Sequence, residues 1–282
     1  MGLLYGRDKL WDMVRFRESE RPIVIQIFGS DPKVMSECAK KMEDLGADIL
    51  DINCGCSVPK MSKINAGAYL TRNQSLLREV MEAVVKAVKI PVTIKVRKGW
   101  DEEHVTCFDI ARMAEELGFS AVTVHGRTSA QAYHGKADWE TIDQVARAVR
   151  IPVMGSGDVG SAEDAYTRLS QTKVAAVMVG RGVMGNPWVF REMISYLETG
   201  QKPAPPSPRE QMDVVMQHIA MACEEMGESE GVREMRRHLT WYIRDLPNAA
   251  ATRGMLHTAK SQKEVERLVE AFFLQEAPAL SA

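Results

Sequence analysis

The sequence lacks the features that would assign it to a membrane or secreted class. It has no apolar run of about 18 residues, the length that a membrane-spanning helix needs. Its first ten residues, MGLLYGRDKL, contain no basic stretch followed by an apolar one, so we predict no signal peptide. The net charge is only −2, so the chain as a whole attracts neither nucleic acid nor an anionic membrane. We expect a globular protein of the cytoplasm, without a membrane partner.

Cysteine is also scarce, with five residues in 282. The number is odd and the positions are mostly scattered, so we expect no disulfide framework, and a reducing cytoplasm fits this usage. Cys54 and Cys56 share the segment 53-NCGC-56. Zinc commonly takes two Cys-x-x-Cys pairs or a mixed Cys/His set, and no second pair exists, so we predict no metal site.

Two interpretations of these thiols stay open at this point. Free cysteine is often buried as a small hydrophobic residue, which suits Cys54 and the three isolated cysteines, namely Cys38, Cys107 and Cys223. Cys56 differs because it follows Gly55 in a loop beyond a predicted strand end, where side chains face a pocket. A thiol there can act as a nucleophile or as a proton donor.

Short β-branched runs alternate with helical stretches along the first two thirds of the chain. The predicted strands are 22–29, 47–55, 91–99, 121–128, 152–159 and 175–182. Each is a near-continuous apolar run, which is typical of parallel strands buried on both faces. The segments 33–46 and 106–118 have helical spacing and reach a glycine before the next strand. This alternation predicts right-handed βαβ units of the α/β class.

The pattern changes after the proline-rich segment 203-PAPPSP-208. Residues 209–276 contain no strand-like run and are predicted to form several helices. A proline-rich segment acts as a semi-rigid spacer. We therefore predict a barrel domain over 1–202, a linker over 203–208 and a helical domain over 209–282.

Unusual polar residues occur at the carboxyl ends of the predicted strands, which form the catalytic face of a (β/α)8 barrel. They are Gln26, Asn53, Cys56, Lys95, Arg97, His125, Arg127, Asp158 and Arg181. The same edge is the ligand crevice of an open doubly wound sheet, but no G-x-G-x-x-G follows an early strand here. The glycine-rich segments 155-GSGD-158 and 180-GRG-182 come late instead. Their position matches the barrel habit of binding phosphate with the loops after the last two strands.

Each polar residue also has an ordinary structural explanation. Lys95 can extend its ammonium group to the rim of the sheet, or it can face an anionic, electron-rich ligand. His125 can be a hydrogen-bonded histidine at the rim, and Asp158 can cap the following helix. Gln26 can bond to a heteroaromatic ring through its amide. Gly180, with the arginine after it, is predicted to open a helix whose backbone N–H groups bind phosphate.

Taken together, these residues place an amide, a lysine, a histidine, a phosphate-binding segment and a thiol on one barrel face. That set suits a barrel that binds flavin mononucleotide (FMN). The phosphate would lie at the last two loops, with Lys95 near the electron-rich end of the ring system.

Eight segments, in this order, resemble the flavin-dependent tRNA-dihydrouridine synthases, and most closely their bacterial B-type subgroup. They are 26-QIFGSDP-32, 51-DINCGC-56, 65-NAGAYL-70, 94-IKVRKGW-100, 124-VHGRT-128, 155-GSGDV-159, 180-GRG-182 with 185-GNPWVF-190, and 239-LTWY-242. The resemblance extends from near Leu4 to about Phe273. It implies a TIM (β/α)8-type barrel followed by a small helical domain that binds tRNA.

The resemblance also implies roles for individual residues. Cys56 would be the general acid, and the FMN contacts would be Gln26, Lys95, His125, Ser156, Gly157, Asp158, Gly180 and Arg181. The substrate contacts would be Asn53, Arg127, Arg233, Arg236 and Arg237. The reaction reduces the C5=C6 bond of uracil with a hydride from reduced flavin, which NADPH or NADH reloads. The target uridine must leave the folded RNA to reach the flavin.

The sequence departs from the family pattern in three places. Ser57 follows Cys56 where proline is usual, and Ser156 replaces the asparagine of an Asn-Gly-Asp segment. The two strands with which family members begin, the first carrying an Ala-Pro-Met segment, would precede Met1. We therefore expect six strands, with the sheet open between residues 23–28 and 176–179 and a helix over about 7–16 near the gap. Either the chain start is wrong or truncated, or the sequence is a degraded copy. As written, the chain is expected to bind FMN weakly or not at all, and to aggregate or be marginally stable.

Three functional hypotheses follow from these features. The first is a tRNA-uridine reductase, and the second is an inactive relic or RNA-binding remnant of one. A different flavin barrel, such as a pyrimidine or enoate reductase, is the third, and the helical tail argues against it. Residues 207–282 hold nine Lys and Arg and twelve Asp and Glu, so tRNA binding needs a local basic stripe. Its candidates are Arg233, Arg236, Arg237, Arg244 and Arg253, and the alternative is that they lie on solvated helix faces. We expect a monomer.

Overall fold

The computed structural model describes residues 14–275. Within them the chain forms two compact units. The first comprises residues 14–159 and 167–179, and the second comprises residues 160–166 and 180–275. The first unit contains a parallel sheet with helices between its strands, and the second is mainly helical. The predicted α/β class with an additional helical part is confirmed.

One six-stranded sheet organises the first unit. Its strands are β1 (Val24–Ile27), β2 (Ile49–Cys54), β3 (Val92–Arg97), β4 (Ala121–His125), β5 (Val153–Ser156) and β6 (Ala176–Met178). They pair in parallel and in sequential order, from β1 to β6. No pairing joins β1 to β6 within residues 14–275, so the sheet is open between these two strands, as predicted.

Helices connect the strands, as expected for βαβ units. They are α1 (Pro32–Asp44), α2 (Pro59–Ser62), α3 (Gln74–Ala87), α4 (Cys107–Leu117), α5 (Trp139–Ala148) and α6 (Ala162–Gln171). Helix α1 shows why these segments are helical. The Asp31 side chain caps its start by accepting a hydrogen bond from the Val34 amide, and Pro32 occupies a first-turn position. Its buried residues recur at helical spacing, namely Met35, Cys38, Ala39 and Met42.

The sheet differs from the prediction in the character of one face. In β2, the fully buried Leu50, Ile52 and Cys54 alternate with the polar Asp51 and Asn53. Strands β3 and β4 follow the same alternation in VTIKVR and AVTVH. Strands β2 to β4 are buried on both faces, as predicted, because Asp51, Thr93 and Thr123 are buried as well. Only one face is aliphatic, however, and the other carries polar side chains from β1 to β5.

The second unit contains the remaining helices. They are α7 (Val189–Thr199), α8 (Pro208–Met226), α9 (Glu228–Tyr242), α10 (Ala249–Thr258) and α11 (Gln262–Gln275). Helices α8 to α11 confirm the predicted helical tail and share an apolar core that includes Val215, Ile219 and Leu239. Residues 201–207 form neither helix nor strand, and Ser207 caps the start of α8. The domain boundary over 203–208 stays a prediction.

Two predicted features near the start of the chain have different outcomes. Most of the helix expected over residues 7–16 lies outside the described residues. Residues 14–16 are described and are not helical, and Glu18–Glu20 forms a single 3-10 turn. The first strand of the sheet therefore follows an irregular segment.

Candidate active site on the polar face of the sheet

Strand register brings the polar residues of neighbouring strands into rows. Gln26 is the register partner of Asp51, which is in turn the partner of Thr93. A second row pairs Asn53 with Lys95, and Lys95 with Thr123. Closest to the carboxyl edge, Arg97 pairs with His125, and His125 with Ser156. Five strands therefore contribute to one continuous polar surface, which includes five of the predicted site residues, namely Gln26, Asn53, Lys95, His125 and Ser156.

A chain of hydrogen bonds runs along the first two rows toward the Cys56 loop. The Thr93 hydroxyl donates to Asp51 Oδ1 over 2.6 Å, and Gln26 Nε2 donates to Asp51 Oδ2 over 2.6 Å. Asn53 Nδ2 donates to Gln26 Oε1 over 2.7 Å. Asn53 Oδ1 then accepts from the backbone amides of Gly55 and Cys56, both over 3.0 Å. These contacts order two predicted ligand-binding amides and the loop that carries the thiol.

Asp51 is the buried end of this chain. Only 6% of its surface is exposed. Burial raises the pKa of its carboxyl group, and the hydrogen bonds from Thr93 and Gln26 and the charge of Lys95 oppose that rise. A buried carboxyl group with three such neighbours indicates a site that is organised around it.

The loop after β2 separates the two neighbouring thiols. Cys54 is fully buried, and burial, followed by the charge of Asp51, raises the pKa of its thiol above the normal range. Cys56 is only partly buried. Its carbonyl accepts a hydrogen bond from the Ala68 amide over 2.9 Å. Gly67, at φ +61°, passes so close that an added Cβ would lie 2.4 Å from the same carbonyl oxygen.

Lys95 has an unusual position beside this loop. Its side chain is partly buried, and burial, followed by the nearby charge of Arg97, lowers the pKa of its ammonium group. Within the described part of the chain, no side chain forms a hydrogen bond or ion pair with it. It does not simply extend into solvent, and its ammonium group is available to a ligand.

Arg97 is committed to backbone groups. Its Nε donates to the Gly55 carbonyl over 2.8 Å, and its Nη1 donates to the carbonyls of Thr128 and Ala132 over 3.0 and 2.9 Å. It is 8% exposed, and burial lowers its pKa. Arg97 therefore joins the loops after β2 and β4, and it places a fixed positive charge beside Lys95.

Arg127 is bonded on most sides. Its Nη2 donates to both Asp158 oxygens over 2.7 and 2.8 Å and to the Gly135 carbonyl over 2.6 Å. The Asp158 carboxylate also accepts from the Ala137 amide over 2.7 Å. Asp158 therefore ties the loops after β4 and β5 together. The alternative that it caps the next helix is not supported, because Ser161 caps the first turn of α6.

Two buried nitrogen atoms on this part of the surface have no hydrogen-bond partner among the described residues. They are Nε2 of His125 and Nη1 of Arg127. Both lie close to Gly157, at 3.6 and 3.8 Å from the position that a Cβ of that residue would take. Buried polar nitrogens normally have partners, so these two are available to a ligand with hydrogen-bonding atoms.

His125 is electrically neutral in this surrounding. Burial, followed by the positive charges of Arg97, Lys95 and Arg127, lowers its pKa to about 4, and Asp158 only partly opposes them. At neutral pH the ring can therefore donate or accept a hydrogen bond without adding charge. The formal positive charge near the site comes from the lysine and the two arginines.

Gly180 and Arg181 belong to the second unit, and their local structure differs from the prediction. They do not open a long helix. Residues Arg181–Val183 form one 3-10 turn, and the next helix, α7, begins at Val189. The Arg181 side chain is exposed, and an added Cβ on Gly180 would meet no atom within 4 Å. The exposed backbone at Gly180 leaves space for a ligand.

The three predicted substrate arginines of α9 have different surroundings. Arg233 forms an ion pair with Glu230, and Arg237 forms one with Glu234 over 3.3 Å. Arg236 Nη2 donates instead to the Ala259 carbonyl over 2.7 Å, which ties α9 to the end of α10. Arg233 and Arg237 are exposed, whereas Arg236 is partly buried. Arg236 therefore has a clear structural contact.

Sequence reasoning missed Asp51 and Thr93 as parts of the site, and it noted Arg97 without giving it a role. A usable signal was present in the strict alternation of β2 and β3. A polar residue at every second position of a strand marks a polar face of the sheet. Asp51 and Thr93 occupy such positions in ILDINC and VTIKVR.

The described residues contain no group of three or more metal-ligating side chains. In the same part of the chain, no helix has the length and apolar character needed to cross a membrane.

Comparison with known proteins gives concordant matches over most of the chain. Residues 3–277 match the family described as dihydrouridine synthase (Dus). A probable tRNA-dihydrouridine synthase of Rickettsia bellii is 41% identical over 249 residues, which are 88% of this chain and 76% of the relative. A tRNA-dihydrouridine synthase B of Pseudomonas aeruginosa is 40% identical over 257 residues, which are 91% of this chain and 77% of the relative. A tRNA-dihydrouridine synthase B of Shewanella oneidensis is 38% identical over 277 residues, which are 96% of this chain and 86% of the relative.

Proposed function

This chain belongs to the dihydrouridine synthase family, and from that premise we propose that it reduces the C5=C6 bond of specific uridines in tRNA. Enzymes of this family are flavin-dependent oxidoreductases. The observation that carries the proposal to this chain's own residues is the polar face, where His125 and Arg127 have buried nitrogens without partners among the described residues. The loop after β2 carries the partly buried Cys56 next to this face. The matches give no support to an inactive relic.

The residues present fit a flavin mononucleotide. His125 Nε2 and Arg127 Nη1 are buried without partners, and the Lys95 ammonium group has none among the described residues. These groups suit an electron-rich ring and an anionic phosphate. Gly157, at φ +122°, leaves no room for a side chain, since an added Cβ would lie 2.6 Å from Ala137.

We assign the cofactor contacts to two groups of residues. Gln26, Lys95 and His125 would contact the flavin ring system. The segment 156-SGD-158, with Gly180 and Arg181, would bind the phosphate. Bound FMN would supply the hydride for C6 of uracil, with NADPH or NADH as its source.

Cys56 would donate the proton in this reaction. A cysteine thiol in water is mostly protonated at neutral pH, so this residue type can give a proton to C5 of the base. The C5–H bond forms as the S–H bond breaks, and the resulting thiolate regains a proton from solvent. Asn53 fixes the loop by accepting hydrogen bonds from the Gly55 and Cys56 amides. Arg97 holds the same loop through the Gly55 carbonyl.

The polymeric substrate would be bound by the helical part of the chain. We propose that residues 209–282, after the linker 203–208, form the tRNA-binding domain, with Arg233, Arg236 and Arg237 as contacts and Arg127 nearer the base. Since tRNA is the substrate, the cytoplasm is the expected location. A monomer is the oligomeric state that we propose.

The test is reduction of a defined substrate by the purified protein with FMN and NADPH. We expect dihydrouridine in an unmodified tRNA transcript, measured by mass spectrometry of its nucleosides, and none with free uridine. Reduction of free uridine, uracil or an enone at comparable rates would instead indicate a small-molecule reductase.

The cofactor assignment has its own test. Arg181→Ala removes a charge-assisted phosphate contact. FMN affinity, followed by flavin fluorescence, should fall, while tRNA affinity at fixed salt should barely change. A loss of tRNA binding with unchanged FMN affinity would mean that the phosphate site is elsewhere.

A further inference from the structure

We propose that Asp51 is a positioning residue, whose buried carboxylate fixes the orientation of the Gln26 and Asn53 amides and thereby the loop that carries Cys56. The functional meaning of this arrangement rests on the roles proposed above for Gln26 and Cys56. The arrangement itself can be tested on the protein without flavin or tRNA.

The two ends of the hydrogen-bond chain each allow one direction of donation only. Asp51 is an acceptor at both oxygens, which receive the Thr93 hydroxyl and Gln26 Nε2. At the other end, the backbone amides of Gly55 and Cys56 can only donate, and both donate to Asn53 Oδ1. The direction of each hydrogen bond between these two ends is therefore fixed.

Both side-chain amides between these ends must point the same way. Asn53 must direct its oxygen at the two backbone N–H groups, so its NH₂ group faces Gln26. Gln26 must then offer its oxygen to Asn53 and its NH₂ group to Asp51. An amide oxygen and nitrogen are assigned from their partners, and here fixed partners at both ends assign them uniquely.

Loss of the acceptor at position 51 would affect the Cys56 loop through two intervening side chains, those of Gln26 and Asn53. If Gln26 turned its oxygen toward residue 51, its NH₂ group would face the NH₂ group of Asn53. Asn53 could avoid this clash of two donors only by turning its own NH₂ group toward the Gly55 and Cys56 amides, which are donors as well. The strain would therefore reach the backbone of the Cys56 loop.

Gln26→Glu tests this prediction directly. The new carboxylate would face the Asp51 carboxylate. At a pH where both groups are ionised, the two acceptors repel each other and the chain breaks at its first link. Adding Asp51→Asn should repair it, because the introduced asparagine can donate its NH₂ group to the introduced glutamate. The other oxygen of that glutamate still accepts from Asn53. The Thr93 hydroxyl can donate to the oxygen of the introduced asparagine, as it does to Asp51 in the wild type.

The rate at which iodoacetamide alkylates Cys56 in the flavin-free protein reports the order of the loop. The modification is read at one pH, on the peptide that contains Cys56, by mass spectrometry. We expect Gln26→Glu to alkylate about tenfold faster than wild type, since a lost buried hydrogen bond favours local opening. The double variant should return to within about twofold of wild type.

A second pair of variants protects the test against a Gln26→Glu protein that does not fold. Asn53→Asp keeps the acceptor for the backbone amides but opposes Gln26 with an oxygen. Adding Asp51→Asn lets Gln26 reverse, since the introduced asparagine can donate to the Gln26 oxygen and the introduced aspartate can accept from the Gln26 nitrogen. The single variant should therefore expose Cys56, and the double variant should protect it again.

The matched control is Asp48→Asn, just before β2. Asp48 accepts from Arg21 and from the Ile23 amide, and it has no part in the chain. It should leave the alkylation rate of Cys56 at the wild-type value. Failure of both rescues, or wild-type protection in both single variants, would overturn the positioning role. Because no turnover is measured, an inactive enzyme would not change either outcome.

Discussion

The lowered pKa of His125 reflects both its burial and the positive charge of its surroundings. Three cationic side chains, Arg97, Lys95 and Arg127, lie close enough to lower its pKa, in addition to the effect of burial. The site therefore has a positive character without the histidine, and the neutral ring can still form hydrogen bonds. This combination suits a ligand that carries phosphate and a polar aromatic ring.

The lowered pKa predicts how acid affects folding. The native pKa is about 4, and the unfolded pKa is about 6.5, so the unfolded chain binds the proton more readily. The stabilising contribution of neutral His125 is present above pH 6.5 and is lost as the pH falls toward 4. His125→Asn should therefore lose less stability than wild type between pH 7 and pH 5. Urea midpoints of both proteins at these two values provide the measurement, and parallel losses would contradict the assignment.

Among the elements of the first unit, the segment Gly67–Arg72 makes a close contact with the Cys56 loop. Gly67 has φ +61°, and an added Cβ would lie 2.4 Å from the Cys56 carbonyl oxygen. The Ala68 amide donates to the same oxygen. The segment can hold the thiol loop only if position 67 has no side chain.

Gly67→Ala should therefore be much more damaging than alanine at another left-handed glycine. Gly118 is the matched control, because it has φ +84° and an added Cβ would meet no atom within 4 Å. Gly118→Ala should cost about 1–2 kcal/mol in the free energy of unfolding, the usual penalty of the left-handed region. Gly67→Ala should exceed that cost and also increase Cys56 alkylation. Equal urea midpoints for the two variants would mean that the loop accommodates the methyl group.

Helix α9 carries one arginine with a structural contact and another that is exposed. Arg236 ties α9 to the Ala259 carbonyl, whereas Arg233 is exposed and pairs with Glu230. Arg236→Gln should lower the melting temperature. Arg233→Gln should keep the free energy of unfolding within about 0.5 kcal/mol of the wild-type value. It should weaken tRNA binding and reduce the slope of log affinity against log salt concentration by about one. Binding measured at several salt concentrations tests this, and an unchanged slope would remove Arg233 from the interface.

Periodicity and glycine placement predicted the elements well because they reflect local physics. The helix α4, for example, ends at Gly118 in the left-handed conformation, as the sequence indicated. The network around Asp51 could not be predicted from such local signals, because its partners Gln26 and Thr93 are 25 and 42 residues away. Only the strand register brings them together. The helix start predicted at Gly180 is a single 3-10 turn, Arg181–Val183, and the next helix, α7, begins at Val189.

At the scale of the whole molecule, the family match and the polar face support one function. Residues 3–277 match the dihydrouridine synthase model, and relatives with that name align over most of their own length. Within this frame, two cysteines separated by one glycine have very different surroundings. Cys54 is fully buried in the aliphatic core, and Cys56 lies on the loop fixed by Asn53, Arg97 and Ala68.

The most direct test of the central claim compares tRNA reduction by wild type, Cys56→Ala and Cys54→Ala, with the bound FMN of each protein measured in parallel. General acid catalysis is typically worth about 10²–10⁴-fold. Cys56→Ala should therefore retain FMN and lose dihydrouridine formation by a factor in that range, while Cys54→Ala should keep its rate per folded molecule. Equal losses in both variants, or full activity in Cys56→Ala, would contradict the assignment of Cys56 as the proton donor.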